Sequence, residues 1–160
     1  MRLMEAKIRL NHCGIESLHW RCDHQALEQT EGNLQLAVRI GRKIQGSLSA
    51  RVARITLSCS LFLEDPATAE GPSDKRLVEL FLDYFGVFSF VVDEEVETQR
   101  ERNQIIDLLQ LNGTAILFPY LRAAVTSISA TAGLNPPFVL PTVNVHKLLD
   151  TTTSSIDFSE

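Results

Sequence analysis

A chain of 160 residues with 44% hydrophobic content and mean hydropathy of +0.02 has the material for one domain with a buried core. Its formal net charge of −5 excludes the basic footprint of a nucleic-acid binder, and no Lys/Arg cluster restores one. Cys13, Cys22 and Cys59 are odd in number and unpatterned, which fits a reducing cytoplasm better than a disulfide scaffold.

The opening MRLMEAKIRL alternates and has no apolar h-region, so no signal peptide is expected, and no apolar run is long enough for a membrane span. Met4, Ala6, Ile8 and Leu10, then Ile15, Leu18 and Trp20, predict one long first strand with a bulge near Cys13-Gly14. Arg21 to Asn33 is polar and reads as a connection. Leu34, Leu36, Val38 and Ile40 alternate as a second strand, and Gly41 to Ser49 reads as a turn. In the third strand Ala53, Ile55, Leu57, Cys59 and Leu61 share one face. The acidic stretch from Glu64 to Lys75 is the best loop candidate. The fourth strand, Arg76 to Phe85, sets Val78, Leu80, Leu82 and Tyr84 on one face and Glu79, Phe81, Asp83 and Phe85 on the other, and Gly86 to Val92 continues as irregular chain. Aromatic rings between carboxylates are an odd surface to give to water.

Asp93 is suited to cap a helix from Glu94 to Leu109. A second helix starts near Pro119, whose fixed φ suits a first turn, and stops at Gly133 before Pro136-Pro137. Leu117, Leu121, Val125 and Ile128 recur on one side. Arg122 is the single charge from Pro119 to Gly133, and Ala123, Ser127 and Ala130 form a stripe of small residues that another backbone can approach. Phe138, Val139 and Leu140 open an apolar, proline-bounded strap. Residues 1–150 then form one domain and 151–160 (TTTSSIDFSE) a disordered polar tail. The expected plan is α+β: a four-stranded antiparallel sheet with two C-terminal helices packed on one face.

The stretch ILFPYLRAAVTSISATAGLNPPFVLPTVNVHKLL, with the LFPY tetrapeptide, Arg122 two residues later and the proline-bounded strap, resembles the C-terminal part of the SecB protein-export chaperones. GVFSF at Gly86 to Phe90 is similar to that family's sequence after its last strand. The resemblance implies a cytoplasmic homotetramer, a dimer of dimers, that holds unfolded preproteins without ATP and passes them to SecA. It implies a client groove walled by Leu117, Leu121, Val125, Ile128, Phe138, Val139 and Leu140, with Trp20 and Leu27 on the opposite wall. Several weak apolar sites on one assembly then combine into tight holding through effective concentration. Glu16, Glu79, Phe81 and Asp83 lie where the family presents its SecA surface, and the small stripe is assigned to the subunit interface. The acidic pattern is interrupted by Phe81 and Phe85. The same scaffold dedicated to one client, such as the antitoxin of a toxin–antitoxin system, is therefore the alternative.

A reading from another class uses His12, Cys13, His19, Cys22 and His24 as metal ligands or enzyme residues. Their spacing matches no CxxC or HxxxH pattern, and strand alternation sends them to different sides. No Gly-rich phosphate loop, GxSxG elbow or HExxH is present. Neither a cofactor nor enzymatic activity is expected.

Overall fold

The computed structural model describes residues 6–66, 76–92, 98–142, 144, 147–148 and 153–159. Of the loop expected from Glu64 to Lys75, residues 67–75 lie outside them, as does the Asp93 to Glu97 capping segment. The described strands are β1 (Ala6–Cys22), β2 (Gln35–Ser47), β3 (Val52–Glu64), β4 (Arg76–Val92) and β5 (Thr153–Ser159). They form one five-stranded sheet in the order β1-β4-β3-β2-β5. The first four pair antiparallel, as expected, and β5 joins β2 in parallel.

Alternation decides which side of the sheet is buried. On β3, Ala53, Ile55, Leu57, Cys59 and Leu61 are at most 1% exposed, and on β4 Val78, Leu80, Leu82, Phe88 and Phe90 are at most 2% exposed. These residues face the helices. β1 accommodates its uneven pattern through register shifts at Leu10/His12 and Ile15/Ser17, which bracket the bulge expected near Cys13-Gly14. Two strands exceed their expected lengths. Gly41 to Ser47 extends β2 instead of turning, and Gly86 to Val92 extends β4, because both segments find partners on neighbouring strands.

The helices depart further from expectation. His24–Gln29 (α1) is a short helix capped by Asp23, whose side chain accepts from the Ala26 N–H at 3.0 Å. Gln99–Leu108 (α2) starts at a capping box in which Thr98 and Glu101 satisfy each other's backbone donors. No break separates it from Thr114–Thr131 (α3): Leu109–Gly113 carries the chain through one π-helical turn. Asn112-Gly113 resembles a helix stop, yet Gly113 is buried against Ile55, where a side chain would collide with the sheet. The glycine thus permits close helix–sheet approach within a continuous rod. Pro119 consequently lies inside α3 and not in its first turn. The expected stop does occur at Gly133, at φ +91°.

Ile105 and Leu109 pack with Ala53 and Phe90, and Leu117, Phe118, Leu121 and Val125 complete the main core with the strands. The tail expected to be disordered supplies β5. Its main chain pairs along Gly41–Ser47, and Phe158 packs partly buried against the core.

Candidate functional site

The C-terminal half of α3 carries the strap on a buried hydroxyl. Ser129, at 0% exposure, donates from Oγ to the Thr126 carbonyl at 3.1 Å and accepts from the Phe138 N–H at 2.9 Å. The Ser129 carbonyl accepts from the Leu134 N–H at 3.0 Å. One residue therefore satisfies polar groups on both sides of the turn and fixes where the chain returns. Leu140 is 1% exposed and anchors the returning segment, while Val139 beside it stays 56% exposed.

Between this strap and α3 lies a cleft of about 560 Å³, lined by Ala115, Phe118, Pro119, Arg122, Ala123, Thr126, Ser127, Val139 and Thr142. Its walls are mostly apolar or small, with Arg122 as the one charged group among them. The Thr126 hydroxyl donates to the Arg122 carbonyl at 3.1 Å, which turns its polar end toward its own helix. Such a cleft favours an apolar side chain with a polar neighbour at its rim.

The residues expected to wall a groove are, with one exception, not those that line this cleft. Leu117, Leu121 and Val125 are 0% exposed and Leu140 is 1% exposed, so they belong to the subunit's own core and cannot line an open channel. A helix with two covered sides has two apolar stripes, and the larger side chains turn toward the sheet. Ile128 is partly buried against the same core. Of the expected groove residues, Val139 alone lines the cleft, joined by Ala123 and Ser127 from the small stripe. Ala123, Ser127 and Ala130 are all exposed. Phe118 and Pro119 were missed as wall residues. The LFPY tetrapeptide contains both, and a wheel centred on Ala123 would have grouped Pro119 with it.

Trp20, Leu27 and Phe138 do come together, in a separate cluster around Leu77, Val78 and Leu134. The Trp20 and Phe138 rings lie 6.5 Å apart. The end of β1 and α1 thus pack beside the strap, where the resemblance sets Trp20 and Leu27 across a groove from it. Cys22 lines this cluster, and burial pushes its thiol pKa up, with Asp23 adding to the shift.

The opposite sheet face carries the expected acidic set, largely engaged by neighbours. Glu16 pairs with Arg54 at 2.9 Å, Asp83 accepts from the Ser17 hydroxyl at 2.9 Å, and Glu79 meets Arg21 at 3.3 Å and Arg76 at 3.6 Å. Phe81 is 40% exposed and touches His19 and Phe62, with ring centroids 5.8 and 5.3 Å away. Ile15, Leu18 and Tyr120 add exposed apolar area on the helix-bearing side, near the β1 edge.

His12 and His19 lie on the outer face in register with Val87 and Phe81, whereas Cys13 and Cys22 pair with Gly86 and Val78 on the other. Among the described residues no three His, Cys, Asp or Glu side chains are grouped to share a metal ion. No helix among them is long and apolar enough to cross a membrane.

No family model matches the chain. Over 71 residues it is 37% identical to an uncharacterized protein of Methanocaldococcus jannaschii, covering 44% of this chain and 41% of that protein. Over 61 residues it is 33% identical to the protein-export protein SecB of Anaplasma phagocytophilum, covering 38% of this chain and 35% of that protein. The matches thus span about two fifths or less of these relatives' lengths. Among solved structures, the fold is similar to that of the Mycobacterium tuberculosis SecB-like chaperone Rv1957 in complex with a ChAD peptide from the HigA1 antitoxin. The TM-score is 0.64 at 14% identity, covering 86% of this chain and 91% of that one. The fold is SecB-like, and with the SecB match this bears out the family resemblance read from ILFPYLRAAV and the strap.

Proposed function

We propose that this protein is an ATP-independent holding chaperone that binds unfolded polypeptides through apolar segments. The observation that supports this reading most is the open cleft between α3 and the strap on a SecB-like fold. Folded proteins have buried the side chains that such a cleft accepts, whereas unfolded chains still display them, so selectivity needs no sequence readout. Each contact is worth about 25 cal/mol per Å² of apolar area before ordering costs. Several clefts on a cytoplasmic homotetramer would act together on one long client. The exposed stripe of Ala123, Ser127 and Ala130 is the proposed contact between subunits, with Ile15, Leu18 and Tyr120 as further apolar area.

The export reading assigns Glu16, Glu79, Phe81 and Asp83 to a SecA-facing surface. The dedicated reading assigns the cleft to a single client. The M. tuberculosis neighbour, bound to an antitoxin peptide, favours keeping that second reading. Titration of SecA into the protein by calorimetry separates the two: saturable heat supports export, and its absence supports a dedicated client. The shared reading is tested by light scattering of an aggregating, refolding protein without ATP. Suppression at a stoichiometric amount of chaperone is expected, and unchanged scattering at molar excess would end the reading.

A further inference from the structure

The outer edge of β2 takes its strand partner in a specific way. Ile156 stands opposite Ile44 and Phe158 opposite Gly46, on the helix-facing side. Main-chain pairing of this kind can be supplied by any extended peptide, and selectivity comes from alternate side chains. Three features of β2 meet those positions. At Gly46, a Cβ would lie 2.7 Å from Phe158 Cε1 and 2.6 Å from the Val52 carbonyl oxygen, so the missing side chain makes a socket for an aromatic ring. At Ile44, Ile156 remains 47% exposed. Arg42 is 5% exposed; its Nη2 donates to Gln110 Oε1 at 3.1 Å, while Nε and Nη1 have no hydrogen-bond partner among the described residues. Unmade bonds on a buried cation are costly, so an acceptor brought to that point is rewarded.

We propose that the β2 edge at Gly41–Ser47 is an acceptor site for extended segments of unfolded polypeptide with the pattern acidic-x-aliphatic-x-aromatic, and that β5 is its exchangeable resident. β5 fills the aromatic socket, covers the aliphatic position by half and leaves two Arg42 donors unmatched. Ser155, Asp157 and Ser159 are exposed, and on that face the Ser159 hydroxyl makes one long, exposed hydrogen bond of 3.4 Å to the Gly46 carbonyl. An acidic residue in place of Ser154, opposite Arg42 in the register, supplies what β5 lacks. The tether gives β5 an effective concentration of order millimolar, which sets the threshold a client segment must beat. This inference rests on the holding reading and names a second point of contact for it, on the far side of the sheet from β1.

The test uses the full chain and a fluorescein-labelled synthetic peptide, Gly-Thr-Glu-Ser-Ile-Asp-Phe-Ser-Gly, with a twin carrying alanine for glutamate. The glutamate peptide should bind about tenfold more tightly than its twin, a difference of about 1.4 kcal/mol. Arg42→Met should erase that difference, and Phe158→Ala should strengthen binding of both peptides about tenfold. In the unaltered protein, saturating peptide should release protection of the β5 amides from hydrogen exchange while Gly41–Ser47 stays protected. Equal affinity of the Phe158→Ala and unaltered chains, or β5 amides that stay protected under saturating peptide, overturns the proposal. So does a Phe158→Ala chain that changes only its sedimentation, because the edge would then serve a second copy. The hydrogen-exchange arm decides the matter even if a variant fails to fold. Suppressed aggregation with β5 protected throughout refutes strand exchange alone. Peptide exchange without suppressed aggregation supports the acceptor site and refutes holding.

Discussion

Leu121 lies at 0% exposure between α3 and the sheet, whereas Val139 keeps 56% of its surface in water. The two therefore separate stability from binding. Leu121→Ala should cost about 2–5 kcal/mol in denaturant unfolding, by transfer plus cavity. Val139→Asp should change stability by no more than about 0.5 kcal/mol and still weaken aggregation suppression, read by light scattering on the same preparation. A second residue-scale consequence concerns alkali. Burial pushes the Cys59 thiol from 9.0 up to about 11. Burial, then a hydrogen bond to Cys13, pushes Tyr84 from 10.0 up to about 12. Both groups keep their protons in the fold at pH values where the unfolded chain has lost them. Their stabilisation is fully present below about pH 9 and is lost as pH rises through 9 to 12. Urea unfolding at stepped pH should show that decline, with a shallower slope between 9 and 11 in Cys59→Ala. The core-facing residues of β3 were plain in the sequence, because strict alternation leaves little choice. The role of Ser129 was not, because a mid-helix serine reads as packing until the strap returns to it.

At the scale of elements, the strap depends on that serine. Ser129→Ala removes the acceptor for the Phe138 N–H, and a partly buried donor left unmade costs about 1–3 kcal/mol. Hydrogen exchange should report faster opening at Phe138 and Leu140 while the β3 and β4 amides stay protected. The continuous rod from α2 through α3 was hidden by Asn112-Gly113 and Pro119, which are ordinary helix breakers. Only the tertiary contact of Gly113 with Ile55 explains a glycine there, and no local pattern encodes that contact. β5 was hidden for a different reason. TTTSSIDFSE is polar enough to read as disorder, but an edge strand draws on its main chain and needs one seated ring. The LFPY tetrapeptide, the Gly133 stop and the strap were legible because proline and glycine act locally.

At the scale of the molecule, α3 presents Tyr120, Ala123, Ser127 and Ala130 outward with no charge among them. Ala123→Glu places a carboxylate in the middle of that surface. If the proposed subunit contact lies there, sedimentation should show a smaller species than the unaltered protein, with an unchanged far-ultraviolet spectrum; an unaltered sedimentation coefficient would overturn that assignment. Ala123 also lines the cleft, so the same variant should lose holding capacity through both fewer linked sites and a poorer one.

The position of β5 also bears on how a sticky protein avoids polymerising. With Gly41–Ser47 occupied by β5, the two borders of the sheet are β1, of 17 residues, and the outer side of β5, of 7. Short border strands are poor templates for backbone pairing, and β5 has 7 residues where the β2 it covers has 13. β5 therefore replaces a long border with a short one that carries the exposed Asp157, and both features blunt edge-to-edge addition.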